Sequence, residues 1–262
     1  MVKCLKKAPL RGAFFVFMGC LFLSLAPKAG RAAECSAPVA AKRLAVAAVI
    51  DGDTLRLKDG QDIRFIGIDT PEFGRDGDAD MPFARAARSA LRRLVETSGW
   101  QILFQPGADP HDRYGRRLGH VYSLNSANLT AVLLRQGLGY QAIVAPNLAQ
   151  LDCYREAELV ARKAARGLWR EGVRNASDLS AEETGFHLLK GRVESIGRSR
   201  RAVWLNLLGG SAVKVPWSVW REMTLEEPEA FEARWLEVRG WFYRYRGTLR
   251  VAISHPSSIR WL

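Results

Sequence analysis

The sequence predicts a mainly β fold with helices, of the α+β class, split into two units. Three observations carry that expectation. Short apolar segments alternate with period two and are separated by turn signals such as Asp59-Gly60. Three stretches before residue 170 carry a helical period. A polar stretch without apolar periodicity, residues 171–185 (EGVRNASDLSAEETG), then separates two apolar regions. The predicted organisation is a targeting segment over 1–33, a short leader over 34–42, a first domain over 43–170, a linker over 171–185 and a second domain over 186–262.

In chain order, Leu44–Ile50 is a small-apolar strand. Leu55 and Leu57 alternate with Arg56 and Lys58, and Asp59-Gly60 turns the chain into Ile63–Ile68. Pro71–Pro82 is an acidic loop. A helix follows over Phe83–Glu96. Trp100–Phe104 and Leu118–Tyr122 are two further strands, joined by a loop with Asp109, Pro110 and Gly115. Asn128 is placed to cap a helix that Gly137 ends. Asn147, with Gln150 three residues on, is placed to cap another, whose inward stripe is Ala149, Cys153, Ala157, Val160 and Ala164. In the second unit, strands are expected at Leu188–Ile196, Ala202–Leu208, Leu236–Tyr245 and Leu249–Ser254, with one helix between Trp217 and Trp235. No internal repeat is evident in the sequence.

The chain has 262 residues, with 39 Lys+Arg against 27 Asp+Glu and a formal charge of +12. At 48% hydrophobic residues it is neither disordered nor of low complexity. Residues 1–33 hold six of the bases and no acid. Lys3, Lys6, Lys7 and Arg11 precede an apolar run, Ala13–Ala26, and small residues follow around Ala32 and Ala33. The run is short for a membrane span and suits the core of a signal peptide, so export to the periplasm or the medium is expected, with no stable membrane insertion once it is removed; an uncleaved anchor is the alternative. What remains carries +6 and two cysteines, Cys35 and Cys153, which can form one intrachain disulfide.

The residues that carry chemistry sit at turns between strands. Asp53 lies in Asp51-Gly52-Asp53-Thr54. Arg64 precedes Asp69-Thr70-Pro71-Glu72 by five residues, and Arg116 closes Asp112-Arg113-Tyr114-Gly115-Arg116. Carboxylates hold a hard divalent cation through oxygen. Guanidinium groups clamp phosphate oxygens bidentately. A further carboxylate activates water. Together these are the parts of a phosphodiester-cleaving site, although DGD is also a common turn and Arg–Asp pairs are commonly surface ion pairs.

The ordered blocks VIDGDTLRL, RFIGIDTPE, DRYGRRLGHVY, LLRQGL and ARGLW resemble the staphylococcal nuclease (thermonuclease) family over about residues 44–170. The resemblance implies a five-stranded OB-fold barrel with three helices and a calcium-dependent phosphodiesterase acting on DNA and RNA. By position it implies Asp53 and Asp69 as calcium carboxylates and Thr70 as a main-chain ligand. It implies Glu72 as general base, Arg64 and Arg116 as phosphate-binding catalytic arginines, and Arg113 and Tyr114 beside the nucleotide. Two departures stand out. Ile143 and Ala145 fall where the family places nucleotide-contacting tyrosines, and the loop after Glu72 is acidic (Asp76, Asp78, Asp80). That loop fails the EF-hand pattern, since Met81 stands where glycine is required and Ala87 where glutamate is. The four histidines form no metal-spaced pair.

Six of the eight tryptophans lie after residue 185, where the resemblance is looser, to an OB-like extension of bacterial thermonuclease-like proteins. Strand alternation places Leu236, Val238 and Phe242 on one face. It places Arg239, Trp241, Tyr243 and Tyr245 on the other, as a candidate nucleic-acid platform. The expected activity is therefore an exported, calcium-dependent nuclease. A binding module without catalysis and an envelope interaction protein are the alternatives.

Overall fold

The computed structural model of the protein describes residues 35–262 except Arg75, Asp76 and Leu225. The expected targeting segment and Asp76 of the acidic loop lie outside the described residues. The chain runs β1 (Lys42–Val49), β2 (Thr54–Leu57), β3 (Asp62–Phe65), β4 (Ile68–Asp69), α1 (Ala84–Thr97), β5 (Gln101–His111), β6 (Arg117–Tyr122), α2 (Leu129–Arg135), β7 (Tyr140–Gln141) and α3 (Leu151–Lys163). β1, β2, β3, β6 and β5 close into a barrel in that order. All its pairings are antiparallel except β3 with β6.

Period-two alternation builds this ring. Leu55, Leu57, Ile63, Phe65, Ile102, Phe104 and Val121 point inward, and Leu91, Leu133 and Leu134 from the helices close the core. Each such fully buried side chain contributes about 1.5–3 kcal/mol. β4 pairs with β7 beside the ring, which ties the Asp69 turn to the segment leading into α3. Asn128 caps α2 as expected, its Oδ1 accepting from the Ala131 N–H at 3.1 Å.

α3 departs from the sequence reading. Asn147 does not cap it. Its side chain accepts from the Asp109 N–H at 2.9 Å and donates to the Asp109 carbonyl at 3.0 Å, so it staples the far end of β5, a strand that runs on through Asp109 and Pro110 where a loop was expected. The inward face is Cys153, Tyr154, Ala157, Glu158 and Ala161, while Ala149 and Ala164 are exposed and Val160 is 43% exposed. The face turns because two polar side chains find buried partners. Tyr154 bonds His120 and Asn128 through its hydroxyl, and Glu158 meets an arginine described below. Cys35 and Cys153 form a disulfide with Cα atoms 6.0 Å apart, which ties the start of the described chain to α3.

The stretch expected as a linker contains a short strand, β8 (Arg174–Asn175). Beyond it come β9 (Gly185–Arg198), β10 (Ala202–Leu207), β11 (Ala212–Pro216), α4 (Trp217–Met223), β12 (Trp235–Tyr245), β13 (Thr248–Ala252) and β14 (Ile259–Trp261). β9, β10, β11, β13 and β12 form a second ring, closed by β12 pairing with β9. Its strand order matches the first ring, and again the third and fifth strands, β11 and β13, are the parallel pair. The correspondence reaches single residues. The Leu57 N–H bonds the Gln61 carbonyl in one hairpin, and the Leu207 N–H bonds the Ser211 carbonyl in the other, both at 2.8 Å. Thr54 pairs with Arg64 as Trp204 pairs with Lys214.

Two crossed ion pairs join the rings. Arg239 on β12 grips Glu158 on α3 through both carboxylate oxygens, at 2.8 and 3.0 Å, and also donates to the Gln141 carbonyl at 3.0 Å. Glu237 on β12 is held by Arg162 of α3 and by Arg260. Burial opposes the Glu237 charge, but those two arginines outweigh it and hold its carboxyl below the usual range. Ala161, Trp169 and Leu188 pack beside these pairs. No helix among the described residues is long and apolar enough to cross a membrane.

Candidate active site

The site is built on the first ring. Gly52 lets the β1–β2 turn lie against α1, since a Cβ there would sit 2.6 Å from both Ala87 Cβ and Thr70 Oγ1. This approach buries Asp53. Its Oδ2 accepts from the Thr70 N–H at 2.8 Å and from the Thr70 hydroxyl at 2.9 Å, so the two turns are laced together. Thr70 is thereby bonded through its amide and hydroxyl.

Arg64 leaves β3 between Asp53 and Asp69. It donates to Asp69 Oδ1 at 2.7 Å, while its Nη1 touches Asp53 Oδ1. The guanidinium therefore pairs with both carboxylates at once. Burial pulls the Arg64 pKa down, and Asp69 and Asp51 pull it back. Burial also pushes the Asp69 carboxyl up to about 6; Arg64 opposes the rise, and the charges of Glu72 and Asp51 add to it. Asp51 is raised by burial as well.

Glu72 is exposed at the head of the acidic loop, where its carbonyl accepts from the Met81 N–H at 3.0 Å. On the opposite side, Asp112 organises a tight turn. Its Oδ1 accepts from the N–H groups of Tyr114 and Arg116, both at 2.9 Å, and its Oδ2 takes the Arg116 Nε–H at 2.7 Å. Burial acts to raise Asp112, but these bonds keep its carboxyl low. Gly115 completes the turn at φ 82°. Arg113 lies over the exposed Tyr114 ring, 4.8 Å from its centroid.

Arg64, Asp69, Glu72, Arg113, Tyr114 and Arg116 therefore line one cleft of about 1280 Å³, with Asp53 and Thr70 supporting its floor. The segment expected to carry Ile143 and Ala145 in contact with substrate presents Ala142 and Val144 to the cleft instead, while Ile143 is 8% exposed. Alternation along an extended segment sends neighbours to opposite sides. Arg239 is not part of an exposed platform either. Its side chain is 11% exposed and committed to Glu158. Trp241 and Tyr243 do reach the cleft, and Tyr245 lies just beyond its lining.

Sequence reasoning assigned no role to Asp112 or Asp51. The Asp-x-x-Gly spacing of a tight turn was the available signal for Asp112. Nothing local marked Asp51, whose importance lies in its proximity to Arg64 and Asp69.

A barrel that holds carboxylates and arginines around one open cleft is a nuclease-type hydrolase site. The model of the staphylococcal nuclease homologue family matches residues 62–171. A thermonuclease of Staphylococcus intermedius is 30% identical over 52% of this chain and 81% of its own length. One of Staphylococcus hyicus is 30% identical over 46% of this chain and 72% of its own. Endonuclease YncB of Bacillus subtilis is 32% identical over 46% of this chain and 58% of its own. The chain belongs to the staphylococcal nuclease family.

Proposed function

We propose that the chain is an exported nuclease that hydrolyses phosphodiester bonds of DNA, RNA or both with the help of a bound calcium ion. The observation that supports this most is the convergence of Asp53 and Asp69 on Arg64, in a cleft also lined by Glu72 and Arg116. Two carboxylates that touch one guanidinium face a common point. Their hard oxygen donors fit a divalent cation that keeps water or phosphate in its other positions. Asp53, Asp69 and the Thr70 main chain are the ligands in this reading. When bound, the cation supplies charge neutralisation at the phosphate.

The chain's own groups account for the rest. Arg64 and Arg116 hold two phosphate oxygens and stabilise the charge that builds as phosphorus becomes five-coordinate. Glu72, exposed to the cleft, takes a proton from the attacking water. A new P–O bond forms as the ester P–O bond breaks in line, and the departing oxygen leaves with the electron pair of that bond. Asp112 preorganises Arg116 by fixing both its main chain and its Nε.

Single- and double-stranded DNA and RNA, incubated with calcium, magnesium or chelator, test the reading. Cleavage with calcium and its loss on chelation are expected; no cleavage in any combination would falsify it. Export is supported by the basic-then-apolar pattern of residues 1–33 and by the Cys35–Cys153 pair. Recovery of the protein only from the cytosol, with its first 33 residues intact, would overturn that part.

A further inference from the structure

One wall of the catalytic cleft comes from the second ring. Trp241, Phe242, Tyr243 and Arg244, at the far end of β12, line the same cavity as Arg64, Asp69 and Glu72. Their placement follows from the clamp at the other end of the strand. Glu237 and Arg239 are locked to Arg162 and Glu158 of α3, and Gln141 beside them belongs to β7, the partner of the Asp69 strand. Two to five residues beyond Arg239, at about 3.3 Å per residue, β12 delivers its tip to the cleft.

The tip is not core. Trp241, Tyr243 and Tyr245 alternate on the outer face and are 42–44% exposed, whereas Phe242 between them is buried. Phe186 braces the Trp241 ring edge-on at a centroid distance of 4.9 Å. The face continues away from the cleft in register. Tyr243 pairs with Arg250 on β13, whose guanidinium lies 4.3 Å from the Tyr245 ring centroid and 5.1 Å from that of Trp204. Arg250 Nε is buried without a hydrogen-bond partner. Lys214 lies 5.9 Å from the same Trp204 ring, on the neighbouring strand. Exposed aromatic rings at strand spacing, interleaved with cations, suit unpaired bases and the phosphates between them. They suit a paired duplex poorly, because its bases are stacked on one another and their faces are covered. In the segment where the family places nucleotide-contacting tyrosines, the cleft is lined by Ala142 and Val144, which leaves Tyr114 as the exposed aromatic ring on that side.

We infer that the outer face of the second barrel, from Trp241 and Tyr243 through Tyr245 and Arg250 to Trp204 and Lys214, binds an unpaired nucleic-acid strand and feeds it to the catalytic cleft. This rests on the nuclease reading for the cleft but not for the face itself. The enzyme then takes single-stranded substrate, and its advantage grows with length beyond the few nucleotides the cleft holds.

The test compares wild type, Trp241→Ala/Tyr243→Ala and Tyr245→Ala/Trp204→Ala, each in the full chain. Hydrolysis of a thymidine dinucleotide is compared with that of a twelve-nucleotide single strand and the matching duplex. Wild type prefers the single strand. Each double variant lowers the twelve-mer to dinucleotide ratio of kcat/KM by about tenfold or more, through KM, while Trp241→Phe stays within about threefold of wild type. Equal losses on both substrates, an unchanged ratio, or a wild-type preference for duplex would overturn the inference. Fluorescence anisotropy with the labelled twelve-mer separates the two readings. If wild type cleaves nothing yet binds the strand, and the variants bind it about tenfold more weakly, the nuclease reading fails and the face stands. If the variants bind as wild type does, the face fails.

Discussion

Thr54 and Arg64 in the first barrel occupy the places of Trp204 and Lys214 in the second. Asp53, next to Thr54, corresponds to Val203, next to Trp204, and Asp51 to Arg201. The rings share strand order, a parallel third–fifth pair and a β2–β3 type hairpin, yet their chemistry diverges at these positions. The inward residues need only be apolar at period two, so closure constrains them loosely in identity. The outward residues and the turn ends are free of that demand, and function is written there. In the first barrel a glycine-permitted close approach buries carboxylates beside an arginine. In the second, Val203 and Trp204 stand where Asp53 and Thr54 do, and the half-buried Lys214 and Arg250 lie beside the Trp204 ring.

The largest expected effect separates the barrels by rate. Glu72→Gln lowers kcat by roughly 10²–10⁴-fold with little change in substrate affinity, read by steady-state cleavage. Full activity in that variant would remove Glu72 as the base. Transplanting the carboxylate sharpens the contrast. Val203 is fully buried in the apolar core of the second ring, so Val203→Asp leaves an unpaired buried charge and costs about 3 kcal/mol or more in urea unfolding. A negligible cost would show that the second ring also tolerates a site at this place.

The clamp between the barrels comes next. Arg239→Ala leaves the buried Glu158 with only the Gln141 N–H and costs roughly 3–5 kcal/mol, whereas Arg239→Met with Glu158→Leu removes the buried charge and recovers part of that. Equal destabilisation in both variants would mean that the pair itself, rather than its desolvated half, carries the stability. Cys35→Ser opens a loop with a sequence separation of 118 and costs up to roughly 3–5 kcal/mol, seen as a lower Tm that reductant no longer affects.

The smallest effect is a pH dependence confined to the first barrel. Burial holds His120 down at about 4, and it shares a hydrogen bond with Tyr154 at 2.6 Å. The unfolded chain takes up this proton near the ordinary value of about 6.5, before the folded one does. The stabilisation is therefore complete above that value and is lost as pH falls toward 4, by on the order of 3 kcal/mol. The difference between the urea midpoints of wild type and His120→Gln should shrink across that window. A constant difference would show that His120 does not titrate as placed.

Legibility tracked the range of each interaction. Asn128 was readable as a cap because its partner, Ala131, is three residues away. Asn147 has the same side chain and a similar setting, but its amide serves Asp109, 38 residues distant. Tyr154 and Glu158 turned α3 away from its apolar stripe because their buried polar ends are met by His120, Asn128 and Arg239, none of them local. Alternation correctly placed Leu236, Val238 and Phe242 inside β12, yet it could not see that Arg239 faces α3 while Trp241 and Tyr243 face the cleft. The short β11 and β14 carried too little periodicity to stand out.

The ordered blocks from VIDGDTLRL to ARGLW, with the carboxylates and arginines they hold, were determined by the sequence alone, because turn chemistry and strand alternation act over a few residues. The assembly of those groups was decided by the tertiary structure. It closed two rings of one topology from unlike sequences. It buried Asp53 against Thr70 and locked β12 to α3 through desolvated ion pairs, so that aromatics more than a hundred residues from the catalytic turns stand in the same cleft. Such pairings depend on burial and on partners brought together from afar, and neither quantity exists until the chain is folded.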